Sequence, residues 1–112
     1  MLIQKISNIK KIKVTNNPKI FKQNLLNLTN LKNCVMFSFS EIKPGIKTTE
    51  FQHSDLIKFY LIIEGKIKIF VNSEPFVVSK NQIMVINKNE KYQLINSYNR
   101  TCKHIYLGFL LK

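Results

Sequence analysis

The chain has 112 residues, 45% of them hydrophobic, and a formal net charge of +12. Its length predicts one domain with its own core, and its hydrophobic content excludes a disordered chain. No apolar stretch approaches the ~18–20 residues of a membrane span. Lysines interrupt the first 13 residues, which therefore lack the continuous apolar segment of a signal peptide. We expect a cytoplasmic protein with no membrane partner.

The basic charge has two explanations. A nucleic-acid-binding module carries such an excess, and seven lysines precede the first acidic residue, Glu41. Compositional bias explains it as well, because Lys, Ile and Asn make up 46 residues and 17 lysines accompany a single arginine. Phosphate and base recognition favours arginine. We favour compositional bias and keep a nucleic-acid-binding module, built on the first 32 residues, as an alternative.

The N-terminal third of the chain predicts a strand followed by a helix. Apolar residues alternate loosely over residues 1–15, as in an edge strand. Asn17 is a suitable N-cap and Pro18 suits a first helical turn, and the apolar residues that follow fit a helix over residues 18–30. We expect residues 1–34 to pack, as strand and helix, on a domain formed by residues 35–112.

From Asn33 onward the pattern changes to short alternating strands. Turn residues occur at Pro44-Gly45, Glu64-Gly65 and Asn72-Ser73-Glu74. Many short strands at regular spacing predict a sandwich or a barrel. The predicted strands cover residues 35–39, 59–63, 66–71, 76–78, 83–86, 92–95 and 102–110.

Two sets of spaced residues resemble the two motifs of the cupin superfamily. The first cupin motif reads G-x5-H-x-H-x4-E-x6-G, and the second reads G-x5-P-x-G-x2-H-x3-N. All spacings are retained, and 15 residues separate the motifs. Asn occupies two glycine positions of the second motif, and Asn is the best non-glycine residue for a left-handed turn. The matching positions are Gly45, Phe51, His53, Lys58 and Gly65, then Asn81, Asn87, Asn89, Tyr92 and Asn96.

This resemblance implies an all-β fold, a cupin-type double-stranded β-helix (jelly-roll) barrel, with a short N-terminal helix added. It also implies a changed site. Cupins hold a metal with two His and a Glu from the first motif and a His from the second. Here Phe51, His53, Lys58 and Tyr92 stand at those positions, so one ligand of four remains. We expect no metal and no other cofactor.

The same resemblance directs several polar and aromatic side chains into the barrel. If Lys103 faces solvent, alternation turns Cys102, His104 and Tyr106 inward. Aromatic walls with a few polar groups are typical of a small-molecule site, for a sugar or a carboxylate, although a filled core is the alternative. A metal site of Cys102, His104 and His53 is a further alternative. The candidate ligand-binding residues are Phe51, His53, Lys58, Tyr60, Tyr92, His104 and Tyr106.

Residues 60–66 and 81–92 are similar to the N-terminal sensor domains of arabinose-responsive (AraC-type) transcription regulators. That resemblance implies a small-molecule effector, a homodimer and a role in transcription regulation, with DNA bound only through a helix-turn-helix domain that this chain lacks. The chain is then a piece of a longer regulator or a stand-alone barrel. The alternative is a metal-independent enzyme of the sugar isomerase or epimerase type, with His53 as base and Tyr92 as acid.

The apolar character of several outward positions also predicts a homodimer. Phe59, Leu61, Ile63 and Phe70 are expected on outward faces, and an apolar surface of that size requires cover. The N-terminal helix and a partner barrel are both expected to contribute to it.

Overall fold

The computed structural model describes residues 1, 3–14, 17–25 and 32–111. These residues form ten strands and a short 3-10 turn, Ile6–Asn8. The strands are β1 (Ile12–Val14), β2 (Asn17–Asn24), β3 (Cys34–Ile42), β4 (Phe51–Gln52), β5 (Leu56–Glu64), β6 (Lys66–Val71), β7 (Glu74–Ser79), β8 (Ile83–Ile86), β9 (Lys91–Ile95) and β10 (Cys102–Leu110).

Within the described residues the strands form two antiparallel sheets. One has the order β1-β2-β3-β10-β5-β8 and the other the order β4-β9-β6-β7. The buried core draws on both sheets, with Ile42 and Ile62 from the first and Ile67, Ile69 and Leu94 from the second. The predicted all-β jelly-roll barrel is therefore confirmed.

The predicted turn positions adopt the left-handed backbone that their residue types allow. Gly45 has φ +82° and Gly65 has φ +76°, while Asn81 and Asn89 have φ of +67° and +65°. At Gly65 a Cβ atom would lie 2.7 Å from the carbonyl oxygen of Thr101, so this turn requires glycine for space as well as for conformation. The substitution of Asn for glycine in the second motif thus preserves the turns.

The predicted helix over residues 18–30 is wrong over residues 18–24, because these residues belong to β2. Residues 26–31 lie outside the described residues. Strand β2 pairs with both β1 and β3, and this pairing satisfies its backbone groups without a helix. Helical structure in the described residues is limited to the three-residue turn, and no described helix is long and apolar enough to cross a membrane.

Side-chain hydrogen bonds attach the N-terminal segment to the barrel. The Gln23 side chain is buried and donates to the carbonyl oxygens of Ile6 and Ile9, at 2.7 and 2.8 Å. The side-chain oxygen of Asn17 accepts from the Thr49 amide at 2.7 Å. The Gln23 bonds attach the 3-10 turn to β2, and the Asn17–Thr49 bond attaches β2 to the rest of the barrel. Val14 of β1 and Ile20 of β2 line a cavity inside.

The outer surface of the larger sheet is unusually apolar. Two cross-strand rows run over four neighbouring strands, and their residues alternate with inward residues. Leu61 is exposed, as predicted, and Phe59 and Ile63 are half-buried. Phe70 is also half-buried, but it lies in β6 of the smaller sheet. We call the following eight residues the outer apolar face: Phe37, Leu107, Phe59 and Val85 in one row, and Phe39, Ile105, Leu61 and Ile83 in the other.

Candidate functional site

Strand register brings the predicted site residues together at one end of the barrel. Along β5, alternation buries Lys58 and Tyr60 on the inner face. On β10, the same alternation buries His104 and Tyr106. The short strand β4 pairs with β9, which brings Phe51 opposite Tyr92. The seven predicted residues therefore share one region, with Phe51 and His53 half-buried at its rim.

A short hydrogen-bond chain runs through this region. The Lys58 ammonium donates to the Tyr92 hydroxyl, with Nζ and Oη 3.1 Å apart. On the other side, Nε2 of His53 lies 3.1 Å from the same hydroxyl. One phenol thus connects the buried amine to the half-buried imidazole. We call Lys58, Tyr92 and His53 the Lys–Tyr–His chain.

Aromatic rings enclose the Lys58 ammonium. Its Nζ lies 4.7 Å from the ring centre of Tyr106, 5.2 Å from that of Tyr60, 5.4 Å from that of Phe51 and 5.6 Å from that of Tyr92. Each ring face favours the cation by about 0.5–2 kcal/mol. Among the described residues, no carboxylate lies within 4 Å of this nitrogen. The charge is therefore solvated by rings and one hydroxyl.

Burial makes the Lys58 ammonium costly. The side chain is 7% exposed, and burial, with a smaller contribution from the positive charge of Lys22, lowers the pKa of Lys58 from 10.5 to about 8. At neutral pH most of the molecules carry the charge, and roughly one in ten carries the neutral amine. Lys58 can therefore act as a cation or, when deprotonated, as a nucleophile.

The phenols of the site remain protonated. Burial raises the pKa of Tyr92 to about 12 and that of Tyr60 well above its ordinary value of 10. Burial and the nearby Lys58 charge lower the pKa of His53, against a small opposing effect of Asp55. His53 is then neutral at neutral pH, and the Tyr92 hydroxyl can accept a hydrogen bond from Lys58 while donating one to His53. The tautomer of His53 sets this direction.

His104 is a buried polar residue with an unpaired ring nitrogen. It is 3% exposed, and within the described residues its Nδ1 atom has no hydrogen-bond partner. Burial first, and the charge of Lys58 second, lower the pKa of His104 to about 3. The ring is thus neutral at any physiological pH. The ring lines the same cavity as Lys58.

The interior is largely filled by the site's own rings. A cavity of about 40 Å³ remains beside Lys58 and His104, which by this measure is room for about three water molecules. Of the two expectations, an open pocket and a filled core, the described structure lies nearer to the second. The cavity is nevertheless polar on one side, where Ser40 and Thr48 contribute to its wall.

The sequence reasoning missed several residues that line this cavity. Ser40 and Thr48 are buried, and Val14 and Ile20 reach the cavity from β1 and β2. The alternation of small polar Ser38 and Ser40 with aromatic residues in β3 carries a signal that these serines face inward. The N-terminal residues carry no such signal, because their contact depends on non-local pairing.

The residues present do not fit the metal of the cupin resemblance. The Lys58 nitrogen occupies the place of a carboxylate ligand and bonds directly to Tyr92, while Phe51 has no donor atom. The alternative site of Cys102, His104 and His53 is wrong, since no group of three metal-binding side chains occurs among the described residues. Burial also raises the pKa of the Cys102 thiol to about 11, which disfavours a thiolate ligand.

Comparison with known proteins is consistent with this fold. The Cupin_2 family model, described as a cupin domain, matches residues 38–107. No curated protein sequence matches the chain significantly.

Three solved structures illustrate the range of similar proteins. A predicted oxalate decarboxylase from Thermotoga maritima is 16% identical, with a TM-score of 0.90 over 98% of this chain and 100% of that chain. A cupin-superfamily sugar phosphate isomerase from Silicibacter pomeroyi is 11% identical, with a TM-score of 0.81 over 96% of this chain and 75% of that chain. The Cupin_2 domain of an XRE family transcriptional regulator from Enterobacter cloacae is 14% identical, with a TM-score of 0.74 over 83% of this chain and 98% of that domain.

At these identities the solved structures establish the fold alone. The family model, however, covers more than half of the chain and includes β4 to β9 with both motif regions. The chain therefore belongs to the cupin family.

Proposed function

We propose that this chain is a metal-independent cupin domain that binds a small carboxylate inside its barrel and serves as a dimeric ligand sensor in transcription regulation. The observation that carries the proposal is the buried Lys58 ammonium, which lies beside a cavity and has no carboxylate within 4 Å among the described residues. A ligand carboxylate would supply that missing charge.

The cavity favours a carboxylate over a sugar. Sites for drug-sized molecules are about 300–1,000 Å³, and the cavity beside Lys58 is about 40 Å³. A carboxylate of a few atoms would require less expansion of this cavity than a sugar would. It would accept from Lys58, and the ring of His104, whose Nδ1 has no partner among the described residues, lines the same cavity.

The N-terminal strands provide a route from ligand to response. Val14 of β1 and Ile20 of β2 complete the cavity wall, so a ligand larger than the cavity would displace them. Strand β1 pairs only with β2 in the described residues, and it is three residues long. Its displacement would therefore break few backbone hydrogen bonds. A sensor of this kind would report occupancy through the position of β1. The similarity to the cupin domain of a transcriptional regulator supports this reading at the level of fold.

The outer apolar face supports the dimer. An antiparallel sheet with one solvated face normally shows polar residues there, whereas this face presents eight apolar residues in two rows. At its end, Lys103 lies 4.0 Å from Glu41 and 3.7 Å from Glu64, so the border carries both signs of charge. In a dimer with twofold symmetry, the apolar rows of one copy would pack on those of the other, and the charged border of each copy would lie against a border that also carries both signs of charge.

A second candidate function is a metal-independent isomerase or epimerase. The observation that favours it is the 3.1 Å contact between His53 Nε2 and the Tyr92 hydroxyl, which suits a base and an acid. Lys58 would then hold a substrate anion beside them. One solved structure of similar fold is a sugar phosphate isomerase.

Titration calorimetry with formate, acetate and glycolate tests the binding proposal. The unmodified chain should bind at least one of them, and Lys58→Met should weaken binding by about tenfold to a hundredfold, because a charge-assisted bond contributes about 1.5–3 kcal/mol. Lys80→Met, at an exposed turn residue, is the matched control and should bind normally. Binding that Lys58→Met leaves unchanged would refute the proposal.

A further inference from the structure

Lys58 combines three features of a reactive amine. It lines an internal cavity, it is enclosed by four aromatic rings, and it bonds to a phenol that also contacts an imidazole. From this geometry we propose that Lys58 captures a small aldehyde covalently, as a Schiff base, inside the barrel. This inference rests on the proposed ligand site and extends its chemistry from carboxylates to carbonyl compounds.

The enclosure favours the neutral amine that such a reaction needs. Burial among rings disfavours the ammonium, and the pKa of Lys58 is lowered to about 8. Forming a neutral imine would also remove the buried charge altogether. The surroundings that make the ammonium costly therefore stabilise the product relative to the free protein.

The Lys–Tyr–His chain supplies the proton transfers. The neutral Lys58 nitrogen attacks the aldehyde carbon, a C–N bond forms, and the carbonyl electron pair moves to oxygen. That oxygen takes one proton from Tyr92, and the nitrogen returns one to the phenol, which gives a carbinolamine. The carbinolamine nitrogen then gives its remaining proton, through Tyr92, to the hydroxyl oxygen. The C–O bond breaks, water leaves, and the nitrogen electron pair forms the C=N bond of a neutral imine. His53, half-buried at the rim, can exchange protons with solvent throughout.

The cavity limits the aldehyde to a few atoms. Its volume of about 40 Å³ admits two or three heavy atoms without expansion. The unpaired Nδ1 of His104 would accept a hydrogen bond from a hydroxyl group beside the carbonyl. These features together point to a two-carbon hydroxyaldehyde, which leaves three heavy atoms on Lys58 once its carbonyl oxygen departs as water. Glycolaldehyde is the probe.

Reductive trapping tests this inference on the intact chain. The protein is treated with glycolaldehyde and cyanoborohydride, which delivers hydride to the C=N bond, and is then cleaved after glutamate. Residues 51–64 form a peptide in which Lys58 is the sole lysine. The Glu74–Pro75 bond resists cleavage, so residues 65–90 form the control peptide, and its fragmentation assigns the label on Lys80 and Lys88 separately from that on Lys66 and Lys68. At pH 8 we expect Lys58 to be labelled at least about ten times faster than either control lysine, because more of it is neutral than of an ordinary lysine. Tyr92→Phe should slow labelling of Lys58 by about tenfold and leave the control peptide unchanged.

Each outcome separates the two proposals. Preferential labelling that disappears in urea supports the covalent inference. Labelling of Lys58 no faster than that of Lys80 and Lys88 in the folded chain overturns it. If Lys58 is not labelled preferentially but carboxylates bind in a Lys58-dependent manner, the covalent inference fails and the proposed function is retained. If carboxylates do not bind either, both proposals fail.

Discussion

Replacing Lys58 by methionine should stabilise the protein at neutral pH. Lowering of the pKa of Lys58 from 10.5 to about 8 corresponds to about 3 kcal/mol of cost for the charged form in the folded state. The variant loses the hydrogen bond to Tyr92, which contributes about 1 kcal/mol, and part of the ring contacts. Methionine fills nearly the same volume. We expect a net gain of about 1–2 kcal/mol in the free energy of unfolding.

The pH dependence identifies the cause. Between pH 8 and 10.5 the unfolded chain binds more protons at this residue than the folded chain, so the stability of the unmodified protein rises with pH across this window. The advantage of Lys58→Met is therefore full below about pH 8 and disappears towards pH 10.5. Urea unfolding followed by far-ultraviolet circular dichroism at pH 7 and pH 10 measures it, with Lys80→Met as control.

Two results would refute this reasoning about Lys58. The first is a variant that is less stable than the unmodified chain by more than about 1 kcal/mol at pH 7, which would mean that the ammonium is well solvated by its rings. The second is a difference in stability that is the same at both pH values. Either result would leave the proposed anion site without its electrostatic basis.

Three further predictions concern acid stability, a turn and the dimer. Folding lowers the pKa of His104 from 6.5 to about 3, so the free energy of unfolding should fall as the pH drops from 6.5 towards 3, by about 2 kcal/mol at pH 5. In urea unfolding, His104→Phe should lack this part of the pH dependence. The same pH dependence in the variant and in the unmodified chain would contradict the prediction. In thermal unfolding, Gly65→Ala should lower the free energy of unfolding by at least about 3 kcal/mol and Gly45→Ala by about 1 kcal/mol, because only the Cβ atom added at residue 65 would collide with a backbone oxygen. Equal destabilisation by the two substitutions would contradict the steric explanation. In sedimentation velocity we expect a dimer that Leu61→Lys converts to a monomer, and a monomeric unmodified chain would exclude the dimer.

The strands were predicted well where alternation is strict. Lys66–Val71 has the predicted bounds, because lysines alternate with Ile67 and Ile69 between turn residues. Ile83–Ile86 and Cys102–Leu110 also have the predicted bounds. Strand β2 was mistaken for a helix, since Asn17, Pro18 and the apolar spacing that follows fit a helix start locally. Its partners β1 and β3 decide its conformation, and local sequence does not contain that information.

The residues of the site could be predicted from the sequence, but the volume left free between their side chains could not. Motif spacing placed Phe51, His53, Lys58 and Tyr92 in one region because a retained register carries side chains with it. The remaining volume depends on how the rings pack and on the N-terminal residue Ile20. The contact between Lys58 and Tyr92 depends on side-chain conformation, which spacing does not determine.

We infer that Lys58 takes the place of a metal in this cupin. Calorimetric titration with Ni²⁺ tests it most directly, on the unmodified chain and on one combining Phe51→His, Lys58→Glu and Tyr92→His. We expect no stoichiometric binding to the unmodified chain and binding of one ion by the triple variant, whose His53 completes a four-ligand set. Stoichiometric binding to the unmodified chain that His53→Ala removes would contradict it.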